Sequence, residues 1–292
     1  MTCVIKHDAV SKEMVGKYIK IYDDIEIYYE ESGNGTPLIF IPGWTMTTRF
    51  FSHQITYFSK KYRTIVYDPR GQGRSTKTLE GNNYGAPRLK PWYSAKADRT
   101  HGVDLKRFIE AMGLKKVILA GWSMGAMDIY SYIKQFGTQN ILAIIFIDRS
   151  PKALKISDGD WGIGDAFKYK TFADGINSSR YHSTEEFLKS TVTRKLTDEE
   201  IRWMLDESLK TPLYTAMLLL TDGWFADYSD VVPTLQIPVM NIVREDFAPQ
   251  AKKYLKITLP KSEFLALGKH LMFWEFPDKF NKAVDRFLEG IR

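Results

Sequence analysis

The sequence predicts an α/β fold: a mostly parallel, eight-stranded sheet flanked by helices, with a helical cap inserted after the sixth strand. Three observations carry that prediction. Short apolar runs, the mark of strands buried on both faces, alternate with helical segments along most of the 292 residues. Strand signals then fade between residues 150 and 236. One strand-to-helix junction, Gly121-Trp122-Ser123-Met124-Gly125, has the form of a sharp turn that presents a nucleophile.

Taken in order, residues 18–21 and 25–29 alternate between faces about a turn at Asp23-Asp24 and read as an antiparallel hairpin. Segments 37–41, 63–67, 117–120, 141–147, 239–243 and 264–267 read as buried strands separated by helices. Between 150 and 236 the pattern turns helical, with capping boxes at Ser183-Thr184-Glu185-Glu186 and Thr197-Asp198-Glu199-Glu200. The chain therefore divides into a core (1–149), a helical cap (150–236) and the rest of the core (237–292). The cap carries Trp161, Phe167, Phe172, Trp203, Met204, Met217, Trp224 and Phe225. Most are read as the cap's own packing and a minority as pocket lining. With Trp44 and Trp274 near the loops of interest, an apolar acyl or aromatic site is expected.

Ser123 follows the buried-strand run Lys116-Val117-Ile118-Leu119-Ala120 and precedes a helix-like run from Ala126. Such a turn strains the serine backbone, and its flanking glycines let strand and helix approach closely. A serine in this setting needs a base, and the partners follow in the order Ser, acid, His. Of His7, His53, His101, His182 and His270, only the last two come after Ser123. His182 lies among polar residues with no strand ahead of it. His270 follows a strand-like run and precedes a helix, where an α/β sheet exposes functional side chains, and is the expected base. The acid is expected after strand 239–243, where Glu245 and Asp246 compete, and Asp246 is preferred. A third carboxylate, Asp148, ends the run 141–147 and is read as a structural turn residue.

These residues resemble the α/β-hydrolase fold-1 superfamily, in particular its serine esterase and cofactor-free haloperoxidase-like branch. Besides Gly121 to Gly125, Tyr67-Asp68-Pro69-Arg70-Gly71-Gln72-Gly73-Arg74-Ser75 is similar to the family's D-x-R-G-x-G-x-S loop. The stretch from Gly268 to Phe280 is similar to the family's histidine followed at fixed spacing by Glu, Pro and Phe. The resemblance implies a serine hydrolase with Ser123, Asp246 and His270 as its triad, acting through an acyl-enzyme on an ester, lactone or thioester. Perhydrolysis by the same triad, or ligand binding without turnover, are the alternatives. Dehalogenase and epoxide hydrolase activities are disfavoured, because those relatives carry Asp at the elbow. The family's His-Gly after the third strand is here Ile39-Phe40-Ile41-Pro42-Gly43-Trp44, and the loop after Val243 is short. Backbone amides form the oxyanion hole, so Trp44 and Met124 remain the implied donors.

Composition fits an enzyme with one large core: 44% of the residues are hydrophobic. No apolar run approaches the roughly 20 residues of a membrane span, and the first residues have no signal-like apolar region. A single cysteine, Cys3, excludes an intrachain disulfide and suits a reducing, cytoplasmic setting. The histidines are scattered, so neither a metal nor an organic cofactor is expected. The net charge of +6 is spread along the chain without a nucleic-acid module, which leaves a small molecule as the expected partner. The densest basic stretch, Arg88-Leu89-Lys90-Pro91 with Lys77 and Lys96 nearby, is read as a solvated loop, the alternative being a rim that attracts acidic substrates.

Overall fold

A computed structural model describes residues 16–77, 100–157 and 159–291. Cys3 and the basic residues Arg88, Lys90 and Lys96 lie outside the described residues. The hairpin forms as β1 (Lys17–Tyr22) and β2 (Ile25–Ser32). It is followed by β3 (Pro37–Ile41), α1 (Ser52–Phe58), β4 (Arg63–Tyr67), α2 (Thr100–Ala111), β5 (Val117–Trp122), α3 (Met124–Phe136) and β6 (Ile141–Ile147). After a helical stretch come β7 (Val239–Val243), α8 (Ala248–Thr258), β8 (Glu263–Ala266), α9 (Met272–Glu275) and α10 (Pro277–Glu289).

The strands form one eight-stranded sheet in the order β1-β2-β4-β3-β5-β6-β7-β8. Only β1–β2 and β2–β4 pair antiparallel. The other neighbours run parallel, as their both-sides-buried sequences require. Side chains alternate between two cores. Ile39, Leu119, Ile144 and Val239 face one, with Phe108 of α2 and Tyr130 of α3; Phe40, Ala120, Ile145 and Met240 face the other, with Ile55 of α1 and Phe280 of α10. The register decides where function can reside. Trp122 pairs with Ile147, and Ile147 with Ile242, so β5, β6 and β7 end at nearly the same level and their next residues share one edge.

The stretch between β6 and β7 carries α4 (Ala166–Ser178), α5 (Arg180–Ser190), α6 (Asp198–Leu209) and α7 (Leu213–Phe225). Helix α6 opens with a full capping box between Thr197 and Glu200, as its sequence indicates. The other expected box differs. Helix α5 already begins at Arg180, and the Ser183 amide donates to Ser179 O at 2.9 Å, so Ser183 lies inside the helix. Ala173, Ile176, Ala216, Leu219, Leu220 and Trp224 pack together over Trp44 and Met124 of the core. Trp161 instead joins a sheet core, Trp203 packs against the other, and Phe167 and Phe225 are exposed. Among the described residues no helix is long and apolar enough to cross a membrane.

Candidate active site

The turn after β5 holds Ser123 at φ 53° and ψ −114°, a left-handed conformation that a non-glycine residue adopts only when its surroundings impose it. Those surroundings are backbone. A Cβ at Gly121 would lie 2.6 Å from Gly125 O, and one at Gly125 would lie 2.3 Å from Ile41 O. The Ser123 amide donates to Ile147 O at 2.9 Å, locking the turn to β6. Met124 is the first residue of α3, whose opening N–H groups have no acceptor within the helix.

The loop after β3 approaches from the other side, where a Cβ on Gly43 would come within 3.0 Å of Ser123 Cβ. Its shape is fixed by side chains from the loop after β4. The Thr45 amide donates to Gln72 Oε1, and the Thr48 amide to Asp68 Oδ1 at 2.7 Å. The Trp44 indole N–H donates to Ala216 O of α7 at 2.7 Å. Thr45 Oγ1 lies 2.7 Å from Ser208 Oγ, and the Thr47 hydroxyl donates to Glu207 Oε2 of α6 at 2.8 Å. Core loop and helical cap are therefore fastened together at this point.

His270 lies between β8 and α9, buried to 8% exposure. The Trp122 indole N–H donates to His270 O at 2.9 Å, and the Leu271 amide donates to Thr191 O of the cap. The imidazole Nδ1 stands 2.5 Å from Asp148 Oδ2. Asp148 follows β6 at φ 50°, and its other oxygen accepts from the Arg244 amide at 3.0 Å. Burial works to raise this carboxyl, but the charge of Arg244, with Nε 3.4 Å away, and the hydrogen bonds from His270 and the Arg244 amide hold it below the usual carboxylate range. His270 is lowered in turn: burial disfavours the imidazolium, Asp148 opposes that, and Arg244 and Arg149 add to it.

The carboxylate beside His270 is thus Asp148, and the expectation of Asp246 is corrected. Asp246 sits in a single 3₁₀ turn, Glu245–Phe247, directly after β7, with its side chain 66% exposed and its Oδ1 3.7 Å from Arg244 Nε. The short loop runs straight from Val243 through this turn into α8, carrying Glu245 and Asp246 out to solvent. Asp148 was legible only as a strand-final aspartate. Its proximity to His270 depends on sheet order, and the left-handed backbone that suggests a turn residue is what aims its carboxylate. No sequence signal marks Arg244 as a site residue, since its contact with Asp148 forms across two strands of the assembled sheet.

Ser123, His270, Trp44 and Met124 line one cavity of about 570 Å³. Much of its wall is apolar, from Phe172, Phe187, Leu220 and Trp224, while Arg149, Lys168 and Arg244 also face it. His182 belongs to this lining; Trp274 instead packs against Trp203 with ring centroids 6.1 Å apart. Among the described residues, no group of three or more His, Cys, Asp or Glu is placed to hold a metal ion.

Residues 36–229 match the sequence model of the alpha/beta hydrolase fold. The chain belongs to that family. Within it, the chain is similar to members named for haloperoxidase activity and to esterases. It is 24% identical over 281 residues to a protein of Synechocystis sp. provisionally named a non-heme chloroperoxidase, covering 91% of this chain and 95% of the relative. The solved bromoperoxidase of Bacillus anthracis superposes with a TM-score of 0.82 at 25% identity, over 94% of this chain and 100% of that one. An esterase from Exiguobacterium antarcticum shares the fold, with a TM-score of 0.80 at 19% identity over 94% of this chain and all of the other.

Proposed function

We propose that this α/β hydrolase is a serine hydrolase that cleaves an ester-type bond of a small substrate with an apolar or aromatic part through an acyl-enzyme. The observation that carries the reading is a buried imidazole whose Nδ1 is held 2.5 Å from a buried carboxylate, in the wall of the cavity that Ser123 also lines. With Nδ1 engaged by Asp148, Nε2 is the nitrogen left to take the Ser123 proton. Ser123 Oγ attacks the carbonyl, His270 passes the proton to the leaving group, and the leaving alcohol, thiol or ring oxygen departs. Water then attacks the acyl-enzyme by the same route, releasing the acid. Asp148 fixes the tautomer and stabilises the transient imidazolium. The amides of Trp44 and Met124 stabilise the oxyanion, each worth about 100- to 1,000-fold in rate. The single cysteine and the distributed charge support a cytoplasmic enzyme acting on a small molecule.

Labelling with a fluorophosphonate probe tests the nucleophile. The expected result is one adduct, on Ser123, with loss of p-nitrophenyl butyrate hydrolysis. Ser123→Ala should take no label and lose on the order of 10⁴-fold or more in kcat. An unlabelled Ser123 in folded protein, or full activity in the variant, contradicts the proposal.

The relatives named for bromo- and chloroperoxidation favour a second reading, in which peroxide replaces water as acyl acceptor and a peracid is released. Water is proposed as the normal acceptor. Millimolar peroxide should then divert only a minor share of the acyl-enzyme, and diversion of most of it, with hydrolysis slow, would select perhydrolysis.

A further inference from the structure

The cavity wall is not uniformly apolar. Arg149, Lys168 and Arg244 line it against one carboxylate, Glu186, the imidazoles of His182 and His270 aside. Each cation comes from a different element: Arg149 follows Asp148 at the end of β6, Lys168 lies in the first turn of α4, and Arg244 follows β7. All three are positioned by the fold. The buried Arg149 guanidinium donates to Gly223 O of α7. The Arg244 guanidinium lies 3.7 Å from the Phe247 ring centroid, and Lys168 Nζ donates to Ile163 O at 3.0 Å.

Their charges act on one another. Partial burial lowers the Lys168 ammonium, the charges of Arg244 and Lys155 lower it further, and Asp165 and Asp246 oppose the shift without reversing it. His270 feels Arg244 and Arg149 in the same sense. Each neighbouring acid has a partner of its own, and for two of them it is Arg244. Asp148 is hydrogen-bonded behind His270, Asp165 caps α4, the exposed Asp246 pairs with Arg244, and Glu186 is held by Lys189 at 2.9 Å. A second pocket of about 480 Å³ shares Ile163 and Lys168 with the first and adds Lys155, extending the basic wall outward. Cationic groups along the wall of a partly apolar cavity attract anions and raise the local concentration of anionic substrate.

We infer that this wall binds a carboxylate carried by the substrate, so that the compound cleaved is an acidic ester or lactone, such as a monoester of a dicarboxylic acid. The carboxylate meets Lys168 and Arg149, and the apolar wall takes the intervening carbons. A monoanion fits better than a phosphate, because Arg244 is already shared with Asp148. Cleavage of that compound rests on the serine hydrolase reading; the anion site does not.

Equilibrium binding therefore tests the site apart from turnover. Titrating wild-type protein with 4-phenylbutyrate, 4-phenylbutyramide and phenyl phosphate, read by tryptophan fluorescence or calorimetry, should show the carboxylate binding at least about tenfold tighter than the amide and tighter than the phosphate. Lys168 is exposed, so Lys168→Gln should fold normally and lose most of that preference, while Lys168→Arg should keep it; Arg149→Gln should reduce it as well. Equal affinity for acid and amide, preference for the phosphate, or an unchanged preference in Lys168→Gln overturns the inference. In turnover, the ratio of kcat/KM for p-nitrophenyl hemiglutarate to that for p-nitrophenyl valerate should fall at least about tenfold in Lys168→Gln. If neither ester is hydrolysed while the binding preference holds, the hydrolase reading fails and the carboxylate site stands.

Discussion

An imidazole buried beside guanidinium groups gives up its proton more readily than one in water, and at His270 this shift exceeds the pull of Asp148. In the proposed mechanism the neutral ring is the base, so a lower pKa carries activity toward acid. The kcat/KM for a neutral ester should rise with pH through a midpoint below the ordinary value of 6.5 and then level off. In Arg244→Met, which removes a cation from the pair, the midpoint should move up. A pH–rate profile checks both, and a wild-type midpoint above 7 would contradict the charge arrangement around His270. At this scale the strand–turn–helix settings of Ser123 and His270 are legible in the sequence, because their neighbours along the chain announce them, and the structure places both on one cavity. Asp148 is not, because its contact with His270 spans 122 residues and exists only once the sheet is assembled.

Elements are legible where local chemistry decides them. The alternating and apolar runs become the eight strands, and Thr197 with Glu200 caps α6. The Ser183 box fails because a helix already under way from Arg180 leaves that serine no open amides to cap. The strand–turn–helix unit around Ser123 depends on backbone contact, which gives its glycines a measurable role. In Gly125→Ala the added methyl meets Ile41 O at 2.3 Å, a position no side-chain rotation relieves. The variant should be destabilised by about 1 to 3 kcal/mol or more in chemical denaturation, with ester hydrolysis reduced further than stability alone accounts for. Wild-type stability and activity in Gly125→Ala would show that the elbow tolerates a wider turn than its packing implies.

At the scale of the whole molecule the site is a product of sheet order. Adjacent parallel strands β5, β6 and β7 end level with one another, so Ser123, Asp148 and Arg244 emerge side by side, and the loop after β8 brings His270 across to them. The cap closes the cavity and is tied to the same loops through Trp44, Thr45, Thr47 and Leu271. Family motifs foretell this assembly in outline, whereas the carboxylate beside His270 comes from the end of β6, where the left-handed Asp148 backbone and the order of the sheet bring it there. The most direct test of the account is therefore kcat for p-nitrophenyl butyrate in Asp148→Asn beside Asp246→Asn. With Asp148 orienting His270, the first should lose about 10⁴-fold through the wrong imidazole tautomer and the second should stay within a few-fold of wild type. A large loss in Asp246→Asn with Asp148→Asn nearly intact would contradict it.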